Sequence, residues 1–226
     1  MVNLGTWQLR RLEEKRTFNS VVSTRSKQPV TELGRVPSPV TPETAEWRPV
    51  SVAGEYRWDL QVRVVNRSQS GMAGYDQVVP MLTERFGWVF VNRGFVPLSV
   101  SAAPSEPKGP LAVVGYLRAS QKRGALGAVD STDPANKDFQ RFDIPLMSRT
   151  LEGDTFPMYL QLLKESPTTE SPWPALVEFP GLSEGPHRSY AFQWFFFSAV
   201  AAAAWVVVVR RKWRSVSDRS PGRASA

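Results

Sequence analysis

Apolar residues recur near helical spacing at Leu4, Trp7, Leu9 and Leu12. Arg10, Arg11, Glu13, Glu14, Lys15 and Arg16 supply a charged remainder, and the pattern predicts a helix over 3–22. Five prolines between 27 and 49 then predict an extended connection. Beyond it the period changes. Residues 50–58, 60–67, 75–82, 87–96, 111–118 and 156–164 are β-branched or aromatic runs separated by Gly, Pro and Ser, and each predicts a strand. A short helix is expected within 143–153, while 99–110 and 119–138 read as loop. From Ser189 to Val209 no residue is charged. A helix of that length spans roughly 30 Å, about the hydrocarbon thickness of a bilayer.

These patterns divide the chain into an N-terminal helix (1–22), a Pro-rich linker (23–49), a β-rich domain (50–165), a Pro-rich connection (166–186), a transmembrane helix (187–209) and a basic tail (210–226). The expected fold class is α+β: a β-rich domain with a C-terminal membrane helix and an N-terminal helix.

Charge gives this layout a direction. The formal net charge of +7 is concentrated in residues 210–226, which hold six basic residues against Asp218. Arg210, Arg211, Lys212 and Arg214 follow the apolar run at once, as in a segment retained on the cytoplasmic side. The β-rich domain is therefore expected outside the cytoplasm, with membrane lipid around the helix and Tyr190, Trp194 and Trp213 at its edges.

Composition excludes more chemistry than any motif supplies. There is no cysteine, so disulfides, thiolate catalysis and covalent haem attachment are ruled out. One histidine, His187, rules out a multi-histidine metal site within one chain and stands apart from the β-rich domain, where a Ser-His-Asp triad would need it. Gly71 and Gly74 form a turn, not a nucleotide loop. Asp130, Asp133, Asp138 and Asp143 read as turn-forming loop acids. Arg57, Arg63 and Arg67 read as one polar face of a sheet rather than a nucleic-acid surface, so no nucleic-acid partner is expected.

Four stretches, in order along nearly the whole chain, resemble the Surfeit locus protein 1 family, whose members assist assembly of cytochrome c oxidase. They are LGTWQLRRLEEK (4–15), with Gly5, Trp7, Gln8 and Arg11; RPVSVAGEY (48–56), with Gly54; VNRGFVP (91–97), with Asn92, Arg93 and Gly94; and PHRSYAFQWF (186–195), with Gln193. The chain looks like a bacterial member. The family normally has an apolar span before its LGxWQ motif, so the resemblance implies that the N-terminal helix is the remnant of a membrane hairpin; here Met1, Val2 and Asn3 precede the motif, which points to a start placed downstream or a truncation ahead of a member that has lost the hairpin. Arg188 stands where relatives often carry an apolar residue. An arginine there can snorkel to the headgroups.

The resemblance implies a membrane-anchored chaperone of the respiratory chain, not an enzyme. It acts with oxidase subunit I and other assembly factors and contacts haem a. Positions 187, 190, 191 and 194 share a helical face, so His187 is the candidate ligand of the haem iron, with Tyr190 and Trp194 as flat apolar surfaces for the porphyrin. Trp7 and Gln8 would pack against them if the terminal helices pair as a hairpin. Two other readings stay open: an assembly scaffold that binds oxidase subunits without haem, with His187 an interfacial residue, and a membrane-anchored hydrolase, against which the lack of His and Cys in the β-rich domain speaks.

Overall fold

The computed structural model describes residues 1–100, 104–168 and 171–217. The elements are α1 (Val2–Ser26), β1 (Thr31–Glu32), α2 (Pro42–Ala45), β2 (Pro49–Tyr56), β3 (Val62–Gln69), β4 (Met72–Thr83), β5 (Gly87–Pro97), β6 (Pro110–Ala119), β7 (Asp138–Phe139), α3 (Ile144–Met147), β8 (Met158–Ser166) and α4 (His187–Ser217). The chain is mixed α and β, as its pattern predicts. It forms two compact units, Val21–Pro180 and Met1–Ser20 with Gly181–Ala226. The distal part of the expected basic tail, 218–226, lies outside the described residues.

The larger unit is a closed barrel. Its sheet runs β1-β2-β6-β8-β5-β4-β3-β7, and β2 also pairs with β4, so that β2-β6-β8-β5-β4 returns on itself. Closure happens at Glu55↔Leu82 and Tyr56↔Met81. Gly54 makes it possible: a Cβ there would lie 2.4 Å from the Leu82 carbonyl oxygen. Strands with a clear period-2 or continuous apolar pattern were legible in the sequence. The two-residue strands β1 and β7 were not, because such short pieces are defined by the partner they meet. Likewise α1 runs to Ser26, past its expected end at 22, with Val22 fully buried. Arg25 anchors this end by donating to the carbonyls of Pro42, Glu43 and Glu46. Residues 23–49 thus contain helix, strand and a 3-10 turn (Leu33–Arg35) besides connection.

Two cores lie on opposite faces of the sheet. Val50, Val79, Met81, Val89, Val91, Val113, Leu117 and Leu160 fill the barrel. Phe90, one residue out of phase with Val89 and Val91, joins Val62, Val78, Phe142, Ile144 and Tyr159 in the second core, under α3. This two-sided covering explains why β5 is a continuous apolar run and not an alternating one. Phe142 stacks on Tyr159 at 4.2 Å between ring centroids, and burial pushes the Tyr159 hydroxyl up to about 12.

The four loop aspartates serve the structure. Asp143 caps α3 by accepting from Leu146 N, and Asp133 accepts from Ala135 N in a turn. Asp138 lies in β7 and pairs with Arg63 at 2.7 Å. Asp130 departs from the solvated loop acid expected: it is buried and pairs with Arg141.

The motif at 91–97 is a β-bulge. Gln77 and Val78 of β4 face Gly94 and Asn92 of β5, so Arg93 is the extra residue. Its side chain is 1% exposed. Nη2 and Nε donate to the Glu165 carboxylate at 2.6 and 3.2 Å, and Nη1 to Gln77 Oε1 and the Ser105 carbonyl at 3.0 and 2.8 Å. The Tyr56 and Trp58 rings flank the guanidinium at 5.7 and 5.0 Å. Desolvation, and then the Glu165 charge, raises the Tyr56 hydroxyl far above its ordinary range, so it stays protonated and donates to that carboxylate. Asn92 holds the bulge by accepting from Gly94 N at 3.0 Å and donating to the buried Asp76, whose carboxyl burial pushes up. Gly94 has φ +138°, and a Cβ would fall 2.1 Å from the carbonyl oxygen of Ala175, which pairs with Phe95. Gly94→Ala is expected to lose about 3 kcal/mol, the upper end of the range for a strained backbone position. A denaturant midpoint equal to wild type would refute this.

Candidate functional site

The smaller unit contains the first five turns of α1, the segment 181–186 and α4. Pro186 precedes α4, and its carbonyl accepts the first helical bond, from Tyr190 N. At about 1.5 Å per residue, the 31 residues of α4 extend roughly 46 Å. From His187 to Arg214 the helix is long and apolar enough to cross a membrane. Every residue from Ala199 to Val208 is exposed, as a lipid-facing segment would be. Trp205 and Trp213 are 67% and 76% exposed on either side of the first basic residues.

One face of α1 with helical spacing carries Gly5 and Gln8, which meet α4, the buried Leu12, and Arg16 and Asn19, which meet the segment just before α4. Gly5 is buried against the Phe195 ring, and a Cβ there would lie 2.8 Å from its Cζ. Leu12 and Ala191 are buried. Arg16 forks onto Glu184 at 2.9 and 3.0 Å, and Asn19 Nδ2 donates to the Leu182 carbonyl at 2.7 Å. Of the apolar residues that announced α1, only Leu12 faces inward; Leu4, Trp7 and Leu9 are 43–47% exposed. Close approach selects a glycine here and polar pairs complete the seam, so the inward face carries little apolar signal.

Gln8 meets the one histidine. His187 Nδ1 lies 2.8 Å from Gln8 Oε1. An amide oxygen only accepts, so Nδ1 is the donor, and the neutral form of the ring that makes this bond is the Nδ1–H tautomer. The Nε2 lone pair is then left for another partner. His187 is partly buried and Tyr190, one turn on, is 47% exposed. Trp194 is partly buried, edge-on to Phe197 at 6.4 Å. Gln193 is exposed, and Arg11 pairs with Glu14 in solvent. Gly54, Asn92, Arg93 and Gly94 belong to the barrel unit, where they shape the backbone and the buried ion pair.

Among the described residues no three His, Cys, Asp or Glu side chains gather at one point. The donor set offers one imidazole beside aromatic surface. That fits a haem, whose iron needs only an axial ligand from the protein, better than a bare metal ion.

Arg16 holds the Glu184 carboxyl below the usual carboxylate range, chiefly through its hydrogen bonds. A depressed carboxylate contributes stability above its unfolded pKa and loses it as pH falls through the lower, folded value. Glu184→Gln should therefore melt below wild type at neutral pH, and the two should converge in acid. A gap that persists unchanged below the carboxylate range would contradict the pairing.

The sequence profile of the SURF1 family matches residues 1–199. An uncharacterized SURF1-like protein of Mycobacterium tuberculosis is 30% identical over 166 residues, 70% of this chain and 58% of that protein. A SURF1-like protein of Rickettsia bellii is 25% identical over 97% of this chain and 88% of its own length. The cytochrome oxidase assembly protein SHY1 of Saccharomyces cerevisiae is 29% identical over 65% of this chain and 40% of its own length. The chain thus spans 58% of the length of the mycobacterial relatives.

Proposed function

The chain belongs to the SURF1 family, and on that premise we propose that it is a membrane-anchored assembly factor of cytochrome c oxidase that contacts haem a at His187 and aids its delivery to, or retention in, oxidase subunit I. The yeast relative's name supports the assembly role. The observation that carries the haem part is the His187–Gln8 hydrogen bond, which leaves Nε2 with its lone pair free. A bound haem a would bring a redox-active, Lewis-acidic iron and an apolar macrocycle. For its part, the chain would ligate through His187 Nε2, cover the macrocycle with Tyr190 and Trp194, and hold the group at the entry of α4. A single protein ligand suits a carrier, because release then breaks one bond. The role is that of a chaperone acting with subunit I and other assembly factors, not of an enzyme.

Arg210, Arg211, Lys212 and Arg214 support an orientation with the end of α4 in the cytoplasm and the barrel on the opposite side of the cell membrane. A reporter active only in the cytoplasm should work when fused after Ala226 and fail when fused after Ser120. The reverse pattern overturns the orientation.

The test of the haem part is an optical spectrum of the chain purified from cells that make haem a. The expected result is a haem a spectrum that copurifies with the protein. A chain that restores oxidase in a deletion strain yet carries no haem a would overturn haem contact and leave the subunit-binding scaffold.

A further inference from the structure

Gln8 does more than fill the helix seam. Its amide sits one turn from Gly5, which is locked against Phe195, and one turn from the buried Leu12. Further along the same face, Arg16 and Asn19 tie α1 to Glu184 and the Leu182 carbonyl. The backbone that carries Gln8 is therefore held from both sides. The amide reaches the ring nitrogen nearer the α4 backbone, at 2.8 Å.

We propose that Gln8 is a positioning residue for His187: by accepting from Nδ1–H it sets the tautomer and the ring rotation, so that Nε2 is presented as the ligating atom. The tautomer part stands on this geometry alone; the ligation part rests on the haem reading given above. Imidazoles that ligate metals usually donate the other ring N–H to a protein acceptor, which fixes orientation and raises ligand basicity. An exposed histidine side chain exchanges between its two neutral tautomers. One net hydrogen bond biases the Nδ1–H form by about fivefold. A residue of the same size that only packs would leave the ratio alone.

The single histidine makes the test direct. Full-length chain with ¹⁵N-labelled histidine, in detergent micelles at a pH where the ring is neutral, gives ring nitrogen signals from His187 only. Wild type should show a protonated Nδ1 and an unprotonated Nε2. Gln8→Leu keeps the volume without an acceptor, and Gln8→Asn keeps the amide but is one methylene too short. Both should shift the ratio about fivefold toward Nε2–H. Gln8→Glu keeps an acceptor at the same reach and should retain the wild-type tautomer. Helix content by circular dichroism confirms that each variant is folded, and the Glu variant tests the acceptor even if Leu perturbs packing. In the haem-loaded chain, Gln8→Leu should weaken haem a binding by about tenfold, at the low end of what losing such an outer partner costs.

An unchanged tautomer ratio in folded Gln8→Leu and Gln8→Asn overturns the proposal, whether or not haem is bound. If the ratio responds as expected but wild type carries no haem a, Gln8 still positions His187, and it is the haem reading that falls.

Discussion

Replacing Arg93 by Ala is expected to destabilise the barrel by about 3–5 kcal/mol, the range for removing one partner of a buried ion pair. That is a large part of the roughly 5–15 kcal/mol that holds a domain of this size folded. The loss has three sources. Glu165, 7% exposed, is left beside Tyr56 without its guanidinium partner. Gln77 Oε1 and the Ser105 carbonyl lose their donor. The largest of the fully buried side chains leaves a void. Arg93→Met with Glu165→Leu should recover most of the loss, because two apolar groups of similar volume leave no charge to solvate. Denaturant titration followed by tryptophan fluorescence reports both, since Trp58 lies 5.0 Å from the guanidinium. A double variant no more stable than Arg93→Ala would show that packing, not charge, sets the cost.

The same residue shows where sequence reading stops. The stretch 91–97 resembles a family motif, and its period puts Arg93 in phase with Val89 and Val91, yet nothing local says which group meets a guanidinium on that face. The partner carboxylate lies 72 residues further on, and Gln77 comes alongside only through the pairing of β4 with β5. Strands β2 to β6 and β8 were legible because β-branched and aromatic runs advertise themselves. Arg63 was also legible as polar outer surface, since it alternates with the buried Val62 and Val64. The helix seam was legible in part. A hairpin would bring Gln8 to His187, and that follows from topology. That Gly5, Gln8 and Arg16 would outrank Leu4, Trp7 and Leu9 does not follow from hydropathy, because the selecting force is close approach and hydrogen bonding.

In cells making haem a, His187→Ala should remove the imidazole-ligated spectrum of the bound group and lower its affinity beyond the roughly 10–100-fold that loss of an outer partner of a ligating imidazole brings. His187 is the only imidazole in the chain, so no neighbour can replace it. Trp194→Ala should act differently. Trp194 lies two turns along α4, partly buried and edge-on to Phe197. Removing it takes away stacking surface worth about 0.5–1.5 kcal/mol but leaves the ligand, so occupancy should fall about 2- to 10-fold with the spectrum unchanged. Both variants should insert normally, since neither adds charge to the span. Oxidase activity should fall further in His187→Ala than in Trp194→Ala. The two spectra separate ligation from contact, which activity alone does not. Identical haem a spectra and occupancy in wild type and His187→Ala would make His187 an interfacial residue that bonds to Gln8 and nothing more. Assembly would then run through protein surfaces alone.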